Sequence, residues 1–248
     1  MKQMSSYIRW TWAGLVALLA AVGCAKMDLG PDREWASFDP GQSNSETDDL
    51  AIGTLRSRDG VRYIRLDEKT CSQVMNPESV SAIPDGTRVF LEFRYVVSGK
   101  VASFCSDAIL VEWVSPIDAG DVSILDFEEC FSPENVQSRQ YTDPVDIVTD
   151  WMTSLEDGFL TLHYKAPQSG DKKHGFALYR SMNVNDKYAY YLVHNADGDK
   201  GPVSEGIVCF DVFHLLPDTD GETVELSLVY IDLNKTEKRL TVDYRSPK

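Results

Sequence analysis

From about Leu50 onward, apolar and polar residues alternate with a period of two, the pattern of strands that bury one face. The first expected strands span 51–56, 61–66, 87–97, 104–114 and 121–127. The clearest is 87–97, where Val89, Leu91, Phe93, Tyr95 and Val97 share one face. Arg88, Glu92 and Arg94 take the other, with Phe90 as the exception. Arg58-Asp59-Gly60 predicts a hairpin between the first two strands. In Pro84-Asp85-Gly86 the proline presets φ and the glycine supplies a positive φ, which predicts a tight reversal. No window sustains a 3.6-residue period. Five short strands within 50–127 predict a small OB-like β-barrel.

The polar segment 128–144, containing Pro133-Glu134-Asn135 and Asp143-Pro144, is the expected linker. Beyond it, strands are expected at 145–151, 157–164, 174–181, 186–194, 206–213, 222–232 and 237–245. Leu160, Leu162 and Tyr164 share a face, as do Val224, Leu226, Leu228 and Tyr230, and then Leu240, Val242 and Tyr244. Turn signals separate these runs, among them Glu156-Asp157-Gly158, Asp197-Gly198 and Asp220-Gly221. Seven such strands predict an antiparallel β-sandwich over 145–248, so the fold class is all-β, a barrel followed by a sandwich.

The first residues carry a different pattern. Lys2 and Arg9 precede an apolar or small-residue run from Trp10 to Gly23, 14 residues long. A membrane-spanning helix needs roughly 20 residues, so 1–23 reads as a secretory signal peptide. The junction Ala21-Val22-Gly23-Cys24 resembles the lipobox of bacterial lipoproteins, and it implies lipidation at Cys24. Residues 24–49 then form a polar, Gly- and Pro-containing tether with an r.m.s. reach of roughly 25–30 Å. The expected location is the cell envelope, with the chain lipid-anchored. Ala25 rather than Asp follows the cysteine, which points to the outer membrane.

Charge narrows the partners. Removing Lys2 and Arg9 with the signal takes the formal charge from −15 to −17. Such a surface repels phosphate backbones and anionic headgroups. Nucleic acid is therefore excluded as a partner, and the acyl chains hold the protein to the membrane.

Two stretches carry a resemblance. The run Tyr188…Leu192-Val193-His194-Asn195-Ala196-Asp197-Gly198-Asp199, followed by Gly206…Val208…Phe210-Asp211, is similar to the C-terminal half of NigD-like lipoproteins. Asp85-Gly86-Thr87-Arg88-Val89 resembles their N-terminal half. The resemblance implies an OB-like barrel and a β-sandwich behind a lipoprotein signal, and it carries over no catalytic residue.

The chain carries little recognisable chemistry. Cys71, Cys105, Cys130 and Cys209 allow three disulfide pairings, of which Cys71–Cys105 is the simplest. Such a bridge would contribute about 3–4 kcal/mol in the chain-entropy model. The competing reading is four small core residues. No C-x-x-C is present. His163, His174, His194 and His214 lack the H-E-x-x-H spacing, although a 157–164 to 174–181 hairpin would bring His163 and His174 together. Asn195, Asp197 and Asp199 alternate like the start of a calcium loop, but Lys200 and Gly206 stand where Gly and Glu are needed. They read instead as a turn whose side chains cap backbone groups, with Gly198 at positive φ. His194, Asn195, Asp197 and Asp199 are kept as a candidate ligand surface. Neither a G-x-S-x-G elbow nor a phosphate loop occurs, so no catalytic residue, metal or cofactor is assigned. The expected function is a non-enzymatic, membrane-anchored envelope lipoprotein, a binding or accessory module for a protein or glycan ligand. The concave barrel face and the seam between domains are the expected ligand surfaces. The alternatives are a hydrolase of envelope or dietary polymers and a bacteriocin-associated or immunity factor.

Overall fold

A computed structural model of the chain describes residues 49–67, 69–96, 101–123, 143–180 and 188–246. The expected signal peptide, Cys24, the expected tether to residue 48, Val97, residues 124–142 of the expected strand and linker, and Cys130 lie outside the described residues.

The barrel contains β1 (Asp49–Arg58), β2 (Val61–Arg65), β3 (Cys71–Val74), β4 (Arg88–Tyr95) and β5 (Asp107–Pro116). A single 3-10 turn, Pro77–Val80, lies between β3 and β4. The strands close in the order β1-β2-β3-β5-β4, with β1 against β4 and β3 parallel to β5. The β1–β2 hairpin turns on Asp59 (φ 52°) and Gly60 (φ 80°), the two successive positive φ values of a type I′ turn. Leu55, Ile64, Val89, Leu91, Phe93 and Ile109 fill the interior, so the face that alternation assigns to the core of 87–97 is the inner face. One expected barrel strand is corrected. The fifth strand is Cys71–Val74 and not 121–127, because the chain has already left the barrel by Asp118. Four residues with a buried Ser72 in the middle offer no hydrophobic alternation to read.

The sandwich comprises β6 (Asp118–Ala119), β7 (Asp121–Ser123), β8 (Asp146–Val148), β9 (Ser154–Glu156), β10 (Phe159–Pro167), β11 (Gly175–Arg180), β12 (Ala189–Asn195), β13 (Val203–Asp211), β14 (Val224–Ile231) and β15 (Glu237–Tyr244). One sheet runs β6-β13-β10-β8, with β9 also on β10. The other runs β15-β14-β12-β11-β7. The sandwich is not purely antiparallel, as the alternation suggested. β6 pairs parallel with β13, β7 with β11, and β12 with β14. Leu162 and Phe210 from one sheet meet Leu178 and Leu228 from the other in the core, each burial stabilising by roughly 1.5–3 kcal/mol. Gly206, opposite Tyr164 in the β10–β13 ladder, leaves room for the tyrosine ring to lie across β13, since a Cβ there would stand 2.6 Å from that ring.

A second correction concerns the histidines. β10 and β11 lie in different sheets, so no 157–164 to 174–181 hairpin brings His163 to His174. The 168–174 connection crosses between layers instead. His163 binds Asp150 through Nδ1 (2.7 Å) and lies 3.4 Å from Glu205 through Nε2.

Candidate functional site

Barrel and sandwich form one compact unit, Asn44–Lys248, and a charged seam joins them. In the β1–β4 register Thr54 stands opposite Arg88, and in the β1–β2 register it stands opposite Arg65. Period two then puts Thr54, Arg56, Arg65, Arg88 and Phe90 on the outer face of the barrel. The β9–β10 hairpin of the sandwich reaches this face. Its two-residue turn, Asp157 (φ 49°) and Gly158 (φ 79°), presents acids to the arginines. Arg56 Nη2 lies 3.1 Å from Asp157 Oδ2, and Arg65 Nε lies 3.2 Å from its Oδ1. One carboxylate thus holds two guanidinium groups.

Arg88 sits deeper, 1% exposed, and is the largest fully buried side chain. It donates to Thr54 Oγ1 (3.2 Å), Thr161 Oγ1 (3.4 Å) and Glu156 Oε2 (3.2 Å). Burial pulls the pKa of Arg88 down and pushes that of Glu156 up, and each ion opposes the shift of the other. That is the balance of desolvation against pairing at a buried ion pair. Beside it, Phe90 stacks on Trp151 (5.9 Å between ring centroids) and meets Trp113 edge-on (6.0 Å). Arg88 and Phe90 are therefore sandwich contacts. The polar arginine predicted on a solvent face is interior, and the apolar exception in the alternation marks the docking face.

Next to this seam opens a cleft of about 890 Å³, within the size range of ligand pockets. Arg56, Arg65 and Gly86 form its barrel wall. The Asp157 hairpin, Asp211, Phe213, His214 and Asp218 form the sandwich wall, with Tyr244 and Ser246 nearby. Phe213 is 65% exposed. It is held against Gly158, where an added Cβ would stand 3.0 Å from the phenylalanine side chain, and its backbone N–H donates to Asp211 Oδ1 (3.2 Å). An exposed aromatic flanked by His214 and acids, opposite two arginines, suits a ligand with both an apolar face and polar groups. Among the described residues no hydrogen bond joins His214 to a carboxylate, and no group of three or more His, Cys, Asp or Glu could hold a metal ion. A second void, about 30 Å³ and lined by Leu155, Leu178 and Leu226, lies in the sandwich core and has no room for a ligand.

The four residues kept from sequence as a ligand surface lie elsewhere, and they do not form one surface. Ala196-Asp197-Gly198-Asp199 is a type I′ turn, with φ of 50° and 67° at its centre. Asn195 Oδ1 accepts from Asp197 N–H (2.8 Å), which is the capping role expected of it. Asp199 Oδ2 accepts from Ser169 N–H and Oγ (2.8 and 2.9 Å), and its Oδ1 accepts from Gly201 N–H (2.9 Å). These bonds hold its carboxyl well below the usual range. Asp197 is exposed, whereas His194 is 1% exposed and stacked on Phe176 at 4.6 Å. His194 Nδ1 donates to the Asp143 carbonyl (3.2 Å), which leaves Nε2 to accept from His174 Nδ1 (2.9 Å). His174 Nε2 faces Asp199 at 3.5 Å. Asp143, expected in the linker, also accepts from Ala196 N–H (2.7 Å). The string therefore builds an internal clasp between loops, and the seam cleft is the surface with room for a ligand.

Residues 129–244 match the family described as the NigD-like C-terminal beta sandwich domain. A protein of Parabacteroides distasonis described as toxin related shares the fold at a TM-score of 0.65 and 23% identity, covering 80% of this chain and 94% of its own. A protein of unknown function from Bacteroides vulgatus aligns at 0.60 and 17%, covering 82% and 92%. A NigD-like immunity protein from Bacteroides caccae aligns at 0.57 and 16%, covering 82% and 100%. No curated protein matches the chain.

Proposed function

We propose that this chain, which belongs to the NigD-like family through its C-terminal sandwich, is a non-enzymatic binding module of the cell envelope, anchored by lipid on Cys24 and receiving its ligand in the seam cleft. The observation that carries the reading is the cleft itself. Its two walls come from different modules, and the Arg56–Asp157–Arg65 cluster fixes the spacing between them. A site assembled from two locked bodies binds without losing interdomain freedom. The acidic surface supports a partner other than nucleic acid. A second reading, a bacteriocin-associated or immunity factor, draws on the fold neighbour described as a NigD-like immunity protein and uses the same cleft.

Two measurements test this. Thermal melting of the mature protein against glycans, peptides and envelope proteins is expected to yield a ligand that raises Tm. Phe213→Ala is expected to abolish that shift while changing unliganded stability by no more than about 0.5 kcal/mol, as for exposed positions generally. No shift across the panel, or a full shift in Phe213→Ala, refutes the cleft. Mass spectrometry of the native amino terminus is expected to find acyl chains on Cys24. A free, unmodified terminus there refutes the anchor.

A further inference from the structure

The cysteines point to a covalent feature of the barrel that neither the family nor the cleft calls for. Cys71, Cys105 and Cys209 are thiols in the structure. Cys209 is 3% exposed inside β13. Cys71 and Cys105 are partly exposed, and burial together with the neighbouring Cys71 pushes the Cys105 thiol up to about 12. The backbone keeps them together. Ser106 donates to the Cys71 carbonyl through both its N–H (3.0 Å) and its Oγ (3.1 Å). Cys71 Sγ in turn contacts the Phe104 carbonyl at 2.9 Å. The parallel β3–β5 ladder starts at Ser72–Asp107, so Ser106 stands opposite Cys71 and Cys105 is the next residue along. A one-residue offset, about 3.3 Å along strands about 4.8 Å apart, gives a separation of about 5.8 Å, inside the roughly 4.4–6.8 Å between Cα atoms that a disulfide spans.

We propose that Cys71 and Cys105 are a disulfide-forming pair, closed by a disulfide oxidant such as a dithiol oxidase or a glutathione-type disulfide. The Cys71 thiolate attacks a sulfur of the oxidant, and one oxidant thiol leaves. The Cys105 sulfur then displaces the second oxidant thiol from Cys71. Two protein thiols are oxidised, their two electrons reduce the oxidant disulfide, and the two protein protons pass to the leaving oxidant sulfurs, which end as two thiols. The bridge ties β3 to the connection leading into β5. That connection carries Phe104, which lies 5.4 Å edge-on from Tyr63 and has Arg58 over its ring at 4.9 Å.

The test is equilibration of the full chain with excess oxidised glutathione, then digestion without reductant by trypsin and a glutamate-specific protease, which separates Cys105 from Cys130. A peptide pair linking Cys71 to Cys105 is expected, two mass units lighter than the sum of its reduced peptides. In Cys71→Ser, Cys105 is expected to become alkylatable or glutathionylated under the same conditions. Both cysteines remaining as thiols in the wild-type chain, or either joined to Cys130 instead, overturns the assignment. Neither result touches the cleft.

Discussion

Arg88→Met is expected to destabilise the protein by about 3 kcal/mol, at the lower end of what breaking a buried ion pair costs. The substitution keeps most of the side-chain volume but leaves Thr54, Thr161 and Glu156 without the donor they share. The cost stays at the lower end because the Glu156 side chain is 21% exposed and can draw on water. Urea unfolding measures it directly. Glu156→Gln alone is expected to cost less, and Arg88→Met combined with Glu156→Leu is expected to recover much of the loss, since an apolar pair pays no desolvation. A double variant as unstable as the sum of Arg88→Met and Glu156→Leu made singly would show that Arg88 acts through packing and not through its charge.

Lowering the pH from 7 to 4 is expected to remove about 3 kcal/mol of stability through His194 alone. Burial, and then the neighbouring His174, push its pKa down to about 4, against 6.5 for a free imidazole. The unfolded chain thus takes up the proton first as pH falls. Stability from this group is complete above about pH 6.5, declines between there and about pH 4, and declines no further below. The carboxylates that fold with lowered pKa values, Asp199, Glu205 and Asp232, add their losses at lower pH, below their unfolded values of 3.8 and 4.5. His194→Gln preserves a donor and an acceptor for Asp143 and His174 but does not titrate. Its urea midpoint is expected to be flat from pH 6.5 to 4.5, where the wild type slopes. An equal slope in both proteins would place the proton elsewhere.

Much of the fold was legible because period two survives wherever a strand has one wet face. The 87–97 and 222–232 alternations match β4 and β14, and the Asp-Gly pairs at 59–60, 157–158, 197–198 and 220–221 all adopt the positive φ values those residues favour. What stayed hidden was the choice of partner. Alternation shows that β10 and β11 are strands, but not that the chain changes layers between them. It also misassigns a strand covered on both sides, as at Arg88. Phe90 was the visible sign of that second burial. A seam between the two modules was foreseeable, as was Asp157 as a turn residue. Their union with Arg56, 101 positions away, has no local signature. Likewise turn chemistry identified the capping by Asn195, whereas the burial of His194 depends on Phe176 and His174 from a neighbouring strand and its approach.

The short segment Asp118–Ser123 has a consequence for how this architecture can change over time. It runs on from the last barrel strand, yet it supplies an outer strand to each sheet of the sandwich. Both strands lie upstream of the span that defines the family's sandwich, 129–244. Shuffling at that border would strip two edges from the recipient and leave backbone groups bare on β11 and β13. A cut that keeps the sandwich whole therefore has to fall upstream of Asp118, inside the run that continues from the barrel.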